Sequence, residues 1–368
     1  MDPRSLIADR MALIDSSGIR KVFDLAKNLK NPINLSIGQP DYDVPEEVKA
    51  AAIRAIEDGR NRYTVTQGID ELRKAVLELE KRRAGIRHDS TLITSGVSGG
   101  LLPAFMTLIN PGDRIIIPDP YFVMYKHLCR LLGGEPLYVD TYPDFQLTVE
   151  RLEAAGAARG KVLLVNSPSN PSGQVMPERE LRRIADWARK NRIFIISDEI
   201  YWPFLYGARD ASICRYTDEV LLLNGFSKLG AMTGWRVGYA IGPSEVIEQM
   251  TKLQQYSFVC APSFAQYAAL KALTVDLSGH VAAYERKAQL VYDGLKDKFE
   301  LPRPQGAFYV FVRARGDDGD AFCAKAIQNN CLIIPGSVFS EKKSHFRLSF
   351  AAEDETIIKG TELLCSLI

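Results

Sequence analysis

Between residues 91 and 242 the chain repeats one pattern, a short continuous apolar run followed by a longer stretch with helical spacing. The runs are TLIT (91–94), RIIIPD (114–119), PLYVD (136–140), KVLLVN (161–166), IFIISD (193–198), VLLLNGF (220–226) and VGYAIG (237–242). A strand with one wet face alternates apolar and polar residues, whereas a continuous run marks a strand buried on both faces. Between the runs, PERELRRIADWARKN (177–191) sets Leu181, Ile184, Ala185 and Ala188 at helical spacing. Strands alternating with helices predict an α/β fold, a mostly parallel sheet with helices on both sides. From about residue 264 the pattern changes. A long helical stretch (264–299) leads to GAFYVFV and HFRLSFA, strands of a separate small sheet with which the N-terminal forty residues are expected to pack.

A chain of 368 residues, 46% apolar, suits a large domain with a smaller second one. Its 46 basic and 45 acidic residues nearly cancel. That balance offers neither a footprint for nucleic acid nor a polybasic face for a membrane. Six cysteines (129, 214, 260, 323, 331, 365) form no C-x-x-C pair, so they read as reduced thiols and not as a disulfide framework or a metal site. The first twenty residues lack the apolar core of a signal peptide, and no run is long enough to span a membrane. The expected compartment is the cytoplasm.

Open α/β sheets bind ligands beyond the carboxyl ends of their strands. Four such ends carry chemistry here: Ser95-Gly96-Val97-Ser98 after TLIT, Asn170 after KVLLVN, Asp198 closing IFIISD with Tyr201 behind it, and Ser227-Lys228 after VLLLNGF. Gly96-Val97-Ser98 opens a helix, whose free N–H groups and dipole suit a phosphate. Arg236 is either a bidentate phosphate partner or a salt-bridged structural arginine. A carboxylate at the end of so apolar a strand must be paired; Asp198 either caps the following segment or holds a pyridine nitrogen protonated. Lys228 lies among small and apolar residues in NGFSKLGAMTGWRVGY (224–239). A confined apolar setting lowers a lysine's pKa and makes it a nucleophile and a base.

GFSKLGAMTGWRVG resembles the lysine-attachment signature of the class I aminotransferases, fold-type I enzymes that use pyridoxal 5′-phosphate (PLP). LSIGQPDYDVP (35–45), NRYTVTQGIDELRKAV (61–76), TSGVSGGL (94–101), NPGDRIIIPDPYF (110–122), SPSNPSGQV (167–175), SDEIYWPF (197–204), PQGAFYVF (304–311) and FRLSFA (346–351) resemble further blocks of that family, in its order. The resemblance spans essentially the whole chain. It implies a large PLP-binding domain (43–264) with a mostly parallel seven-stranded sheet between helices. A smaller α+β domain would draw on both chain ends, 1–42 and 265–368, the latter after a long linking helix.

The resemblance also implies roles. Lys228 matches the lysine that forms an imine with PLP, Asp198 the partner of the pyridine nitrogen, and Tyr201 and Asn170 the partners of the ring 3′-oxygen. Gly96, Val97, Ser98, Ser227 and Arg236 fall where the family binds the phosphate, and Phe122 where an aromatic ring stacks on the cofactor. Tyr63 resembles a tyrosine that reaches the phosphate of a neighbouring subunit, implying a homodimer. Arg347 matches the clamp on the substrate α-carboxylate, and Gly38 lies where the backbone closes over it. Three positions depart from the pattern: Gln39 replaces an acidic residue, Ser98 a lysine and Phe122 a tryptophan.

The implied reaction is a ping-pong transfer between an L-amino acid and a 2-oxo acid. A PLP-dependent carbon–sulfur or β-elimination lyase of the same fold is the alternative, and a non-catalytic PLP-sensing regulator a remote one. KLQQYSFVCAPS (252–263) offers no cation after Lys252, while Tyr256, Phe258 and Phe122 favour an apolar or aromatic side chain. Arg20 is a candidate cation for a distal carboxylate. The small residues around Lys228 are expected to let a flat cofactor approach its nitrogen, and the glycines to let the backbone come close without clash.

Overall fold

The seven apolar runs form one sheet: β1 (Ser90–Thr94), β2 (Arg114–Asp119), β3 (Glu135–Asp140), β4 (Val162–Asn166), β5 (Phe194–Asp198), β6 (Val220–Gly225) and β7 (Gly238–Gly242). A computed structural model describes residues 1–16, 18, 19, 22 and 29–368. The strand order is β1-β7-β6-β5-β4-β2-β3. Only β7 runs against its neighbours, so β1 to β6 all finish at one edge and β7 begins there.

Successive residues of a strand enter different cores, which is why the runs do not alternate in polarity. Leu222 of β6 joins Leu72 and Val76 of helix α1 (Asp70–Arg83). Leu221 and Leu223 join Leu101 and Phe105 of α2 (Gly96–Leu108) on the other face. Helix α3 (Glu178–Asn191) buries Leu181, Ile184, Ala185 and Ala188 as its spacing predicts, with Trp187 besides. After β6 the chain makes a single helical turn, α4 (Phe226–Leu229), and returns as β7.

The expected helix over 264–299 is two helices, α5 (Ser263–Ala272) and α6 (Ser278–Leu295). Thr274 Oγ1 donates to the Lys271 carbonyl at the end of the first, and Asp276 accepts from the Ser278 N–H and hydroxyl at the start of the second. Such side-chain bonds compete with helix continuation, and the β-branched Thr274-Val275 pair weakens it further. Beyond α6, β8 (Tyr309–Arg313), β9 (Ile334–Pro335) and β10 (His345–Ser349) form an antiparallel sheet in the order β9-β10-β8. Ile33–Asn34 pairs in parallel with Cys331–Leu332, tying the N-terminal region to this part. All six cysteines are free. Among the described residues no helix is long and apolar enough to cross a membrane.

Candidate active site

The shared edge of β1, β4, β5 and β6 opens on a cavity of about 350 Å³. Asp198, the last residue of β5, lines it from a buried position. Tyr125 donates its hydroxyl to Oδ2 at 2.8 Å, and the Ile200 N–H donates to Oδ1 at 3.3 Å. Burial outweighs these bonds and pushes the Asp198 carboxyl up to about 6. Asn166 donates to the Asp198 carbonyl at 2.9 Å and accepts the Asn170 N–H at 2.9 Å, so one side chain ties the ends of β4 and β5 to the Asn170 turn.

Lys228, on α4, donates from Nζ to the Gly38 carbonyl at 2.5 Å. Its ammonium lies 5.6 Å from the Tyr201 ring centroid and 5.4 Å from that of Phe308. Burial, reinforced by the charges of Arg347 and Arg236, pushes it down to about 7. A neutral amine is therefore available near neutral pH.

At the other end α2 begins with Gly96 at φ 69°. Its N-cap residue, Ser95, makes no side-chain capping bond to the first-turn N–H groups, and Val97 and Ser98 of that turn line the cavity. Ser227 lines the same end, and Arg236 spans it, donating to the Thr233 carbonyl at 2.7 Å and the Ser95 carbonyl at 3.3 Å. A Cβ on Gly96 would stand 2.5 Å from Arg236 Nη2. Two glycines of the lysine stretch serve close backbone packing: a Cβ on Gly238 would meet Gly96 C at 2.6 Å, and one on Gly225 would meet Gly238 Cα at 2.8 Å. Close backbone approach is what the sequence expected of these two glycines: with Gly96, Gly225 and Gly238 let three backbones meet, while Gly234 has open space around it.

Arg347 of β10, 1% exposed, closes the third side. It donates to Asn170 Oδ1 at 3.2 Å and to the Ser36 carbonyl at 2.8 Å. Its guanidinium carbon lies 4.5 and 4.6 Å from the ring centroids of Tyr309 and Phe339, and its buried Nε has no partner. Tyr201 and Tyr309 share a hydrogen bond of 2.9 Å. Phe122 lines the cavity just before the helix that carries Tyr125.

The chain matches the family described as Aminotransferase class I and II over residues 30–360. It belongs to that family. The probable aspartate aminotransferase of Methanocaldococcus jannaschii is 36% identical over 98% of this chain and 99% of that one. The aromatic-amino-acid aminotransferase 2 of Thermococcus litoralis is 36% identical over 95% of each. A solved tetra mutant of Thermus thermophilus aspartate aminotransferase, complexed with tryptophan, superimposes with a TM-score of 0.92 at 34% identity, covering 98% of this chain and 99% of that one.

Aminotransferases of this class depend on PLP, and the cavity's donors fit that group. A buried carboxylate whose pKa is forced upward gains from a protonated ring nitrogen, and an uncapped helix start beside Arg236 gains from a phosphate. Gly38, Asn170 and Tyr201 share the cavity with Asp198, Lys228 and Arg347, while Gly96 lies behind its wall against Arg236. Tyr63 is elsewhere, 84% exposed in a surface groove with Arg60 and Tyr267. Arg20 lies outside the described residues. Tyr256, 87% exposed, and Phe258, facing Gly99, do not line the cavity where the sequence suggested them. Tyr125 and Tyr309 were not foreseen as site residues. Both had a signal: Tyr125 stands one helical turn after Phe122, and Tyr309 sits inside PQGAFYVF.

Proposed function

We propose that this aminotransferase runs both half-reactions of a ping-pong amino transfer in the cavity around Lys228, with an L-amino acid of apolar or aromatic side chain as donor and a 2-oxo acid as acceptor. The observation that carries the reading is a buried amine sharing one cavity with a buried carboxylate and two guanidinium groups. Asp198 would hold the ring nitrogen of PLP, Asn170 and Tyr201 its 3′-oxygen, and Phe122 its face. Gly96, Val97, Ser98, Ser227 and Arg236 would hold its phosphate. When bound, PLP supplies an electron sink for the pair released at the substrate Cα.

The remaining work falls to the chain. Arg347 presents a planar fork to the substrate carboxylate, with Gly38 on the segment that would close over it. Asn170 spends its Oδ1 on Arg347, which leaves its amide nitrogen for the cavity. Lys228, neutral above about pH 7, takes the Cα proton at Nζ and delivers it back to the reacting system. Asp198 keeps a proton on the ring nitrogen throughout. Ile19, Ile37 and Phe122 supply apolar walls, which supports the side-chain preference. The relatives are named for amino transfer, which favours that reaction over β-elimination.

The same reading divides the chain into a large domain (43–264) and a small one built from 1–42 and 265–368. It pairs two copies in a cytoplasmic homodimer, the exposed Tyr63 of each reaching the phosphate site of the other. The test is to add single amino acids, without acceptor, to the PLP-loaded enzyme and follow its near-visible absorbance. The band is expected to shift to the near-ultraviolet with aromatic and aliphatic donors, and not in Lys228→Arg. Pyruvate and ammonia released from a cysteine conjugate would turn the assignment to a lyase.

A further inference from the structure

The segment Ser36–Tyr42 borders the cavity, with Ile37, Gly38 and Gln39 in its lining. Among the described residues, none from 36 to 44 makes a backbone–backbone hydrogen bond. Side chains hold this strap instead. Arg347 donates to the Ser36 carbonyl at 2.8 Å, and Lys228 donates to the Gly38 carbonyl. Tyr42 reaches the Lys228 backbone carbonyl at 3.4 Å and stacks on His280 with centroids 3.7 Å apart. Asp41 makes the densest set. Its N–H donates to the Tyr284 hydroxyl at 3.0 Å, that hydroxyl donates back to Oδ1 at 2.6 Å, and Lys287 pairs with Oδ2.

These anchors differ in kind. Lys228 and Arg347 are the groups that the proposed function commits to reaction partners, so their bonds to the strap compete with catalysis. The Tyr42 bond is long. The Asp41 clamp lies on α6, outside the cavity lining, and its charged pair is largely withdrawn from water, where screening is weak. We propose that Asp41 is a positioning residue: clamped by Tyr284 and Lys287, it holds the strap over the cavity when Lys228 and Arg347 turn to their partners, and so sets the affinity for the amino donor. The proposal rests on the assignment of Lys228 and Arg347 above.

The experiment compares the PLP-loaded enzyme with Asp41→Ala, with Tyr284→Phe, and with the double variant Asp41→Asn/Lys287→Met. Two readouts are taken: amide deuterium exchange of residues 37–39 and 41, without substrate, and the steady-state constants. Loss of the clamp frees a segment that has no backbone bonds, so Asp41→Ala is expected to speed strap exchange about tenfold. KM for the amino donor should rise about tenfold, with kcat changed less than about threefold, the pattern of lost uniform binding. The double variant keeps a neutral partner for Tyr284 and strands no charge, so it should recover most of that affinity. Tyr284→Phe removes only the bridging hydroxyl, and should speed exchange in the same residues even if Asp41→Ala does not fold. Unchanged strap exchange in Tyr284→Phe and in any folded Asp41→Ala would overturn the proposal, as would a loss borne by kcat instead of KM. Wild-type turnover in Lys228→Ala would sink the functional assignment and leave the exchange result standing, so the two failures are told apart.

Discussion

Replacing Asp198 by Asn should stabilise the cofactor-free protein while disabling the enzyme. Burial raises the Asp198 pKa from 3.8 to about 6. At about 1.36 kcal/mol per pKa unit, its charge costs the empty fold roughly 3 kcal/mol above that pH. The native state binds this proton more tightly than the unfolded chain does. Stability on this account therefore falls as pH rises from near 4 to near 6, and stays lower above. Asn keeps one oxygen to accept the Ile200 N–H, can donate its amide N–H to the Tyr125 hydroxyl oxygen, and carries no charge to desolvate. Urea unfolding of the stripped proteins at pH 8 should favour Asp198→Asn by up to ~3 kcal/mol, and the gain should vanish near pH 4. In the loaded enzyme the same change should slow the half-reaction about a hundredfold or more, because an amide cannot hold the ring proton. A gain of equal size at both pH values, or none at pH 8, would refute the claim that an unpaired buried charge is waiting there for a cationic partner.

Because Lys228 is pushed down to about 7, capture of PLP by the stripped protein should quicken as pH rises and be half-maximal near pH 7; stopped-flow absorbance would expose a half-point near 10 if the amine were ordinary. Gly96→Ala sets a Cβ against Arg236 at a left-handed φ, so equilibrium titration should show PLP affinity down by about tenfold or more, with little change if the turn can shift. Arg83 bonds the buried carboxylates of Glu80 and Glu199, and Arg83→Met should lose about 3–5 kcal/mol in urea unfolding at pH 8. Burial raises the Glu80 pKa, so part of that loss should return as the solution is acidified. If Tyr63 serves a neighbouring subunit, Tyr63→Phe should weaken PLP binding in the wild-type assembly, and wild-type activity should fall on dilution below the dimer's dissociation constant; sedimentation of an active monomer would end that assignment.

Much of the site was legible because it is built at strand ends. Asp198 closes, and Lys228 and Asn170 follow, runs whose continuous apolarity betrays strands buried on both faces, and the ends of such strands face a common edge. Arg236 was legible through its spacing from Lys228. Helix breaks were harder. Periodicity continued through Thr274–Asp276, and only the side-chain bonds of Thr274 and Asp276 show why the helix stops. Aromatic residues were harder still: Tyr256 and Phe258 looked like lining, whereas Tyr309 lines the cavity and Tyr125 stands behind it on Asp198. An aromatic side chain buries equally well in a cavity wall, a core or an exposed face awaiting cover, and composition does not separate these.

The sequence by itself determined the layered α/β architecture, a lysine and a carboxylate at strand ends on one edge, and the family. These are properties of local pattern, set by which residues must leave water and which backbone turns need glycine. The tertiary structure alone decided what surrounds those groups: the Tyr125 bond to Asp198, the Gly38 carbonyl facing Lys228, and the Asp41 clamp reaching α6 some 240 residues away. It also decided the two pKa values that make the chemistry workable. Burial and the charges of distant residues set those values, and they exist only once strands remote in sequence share one low-dielectric cavity.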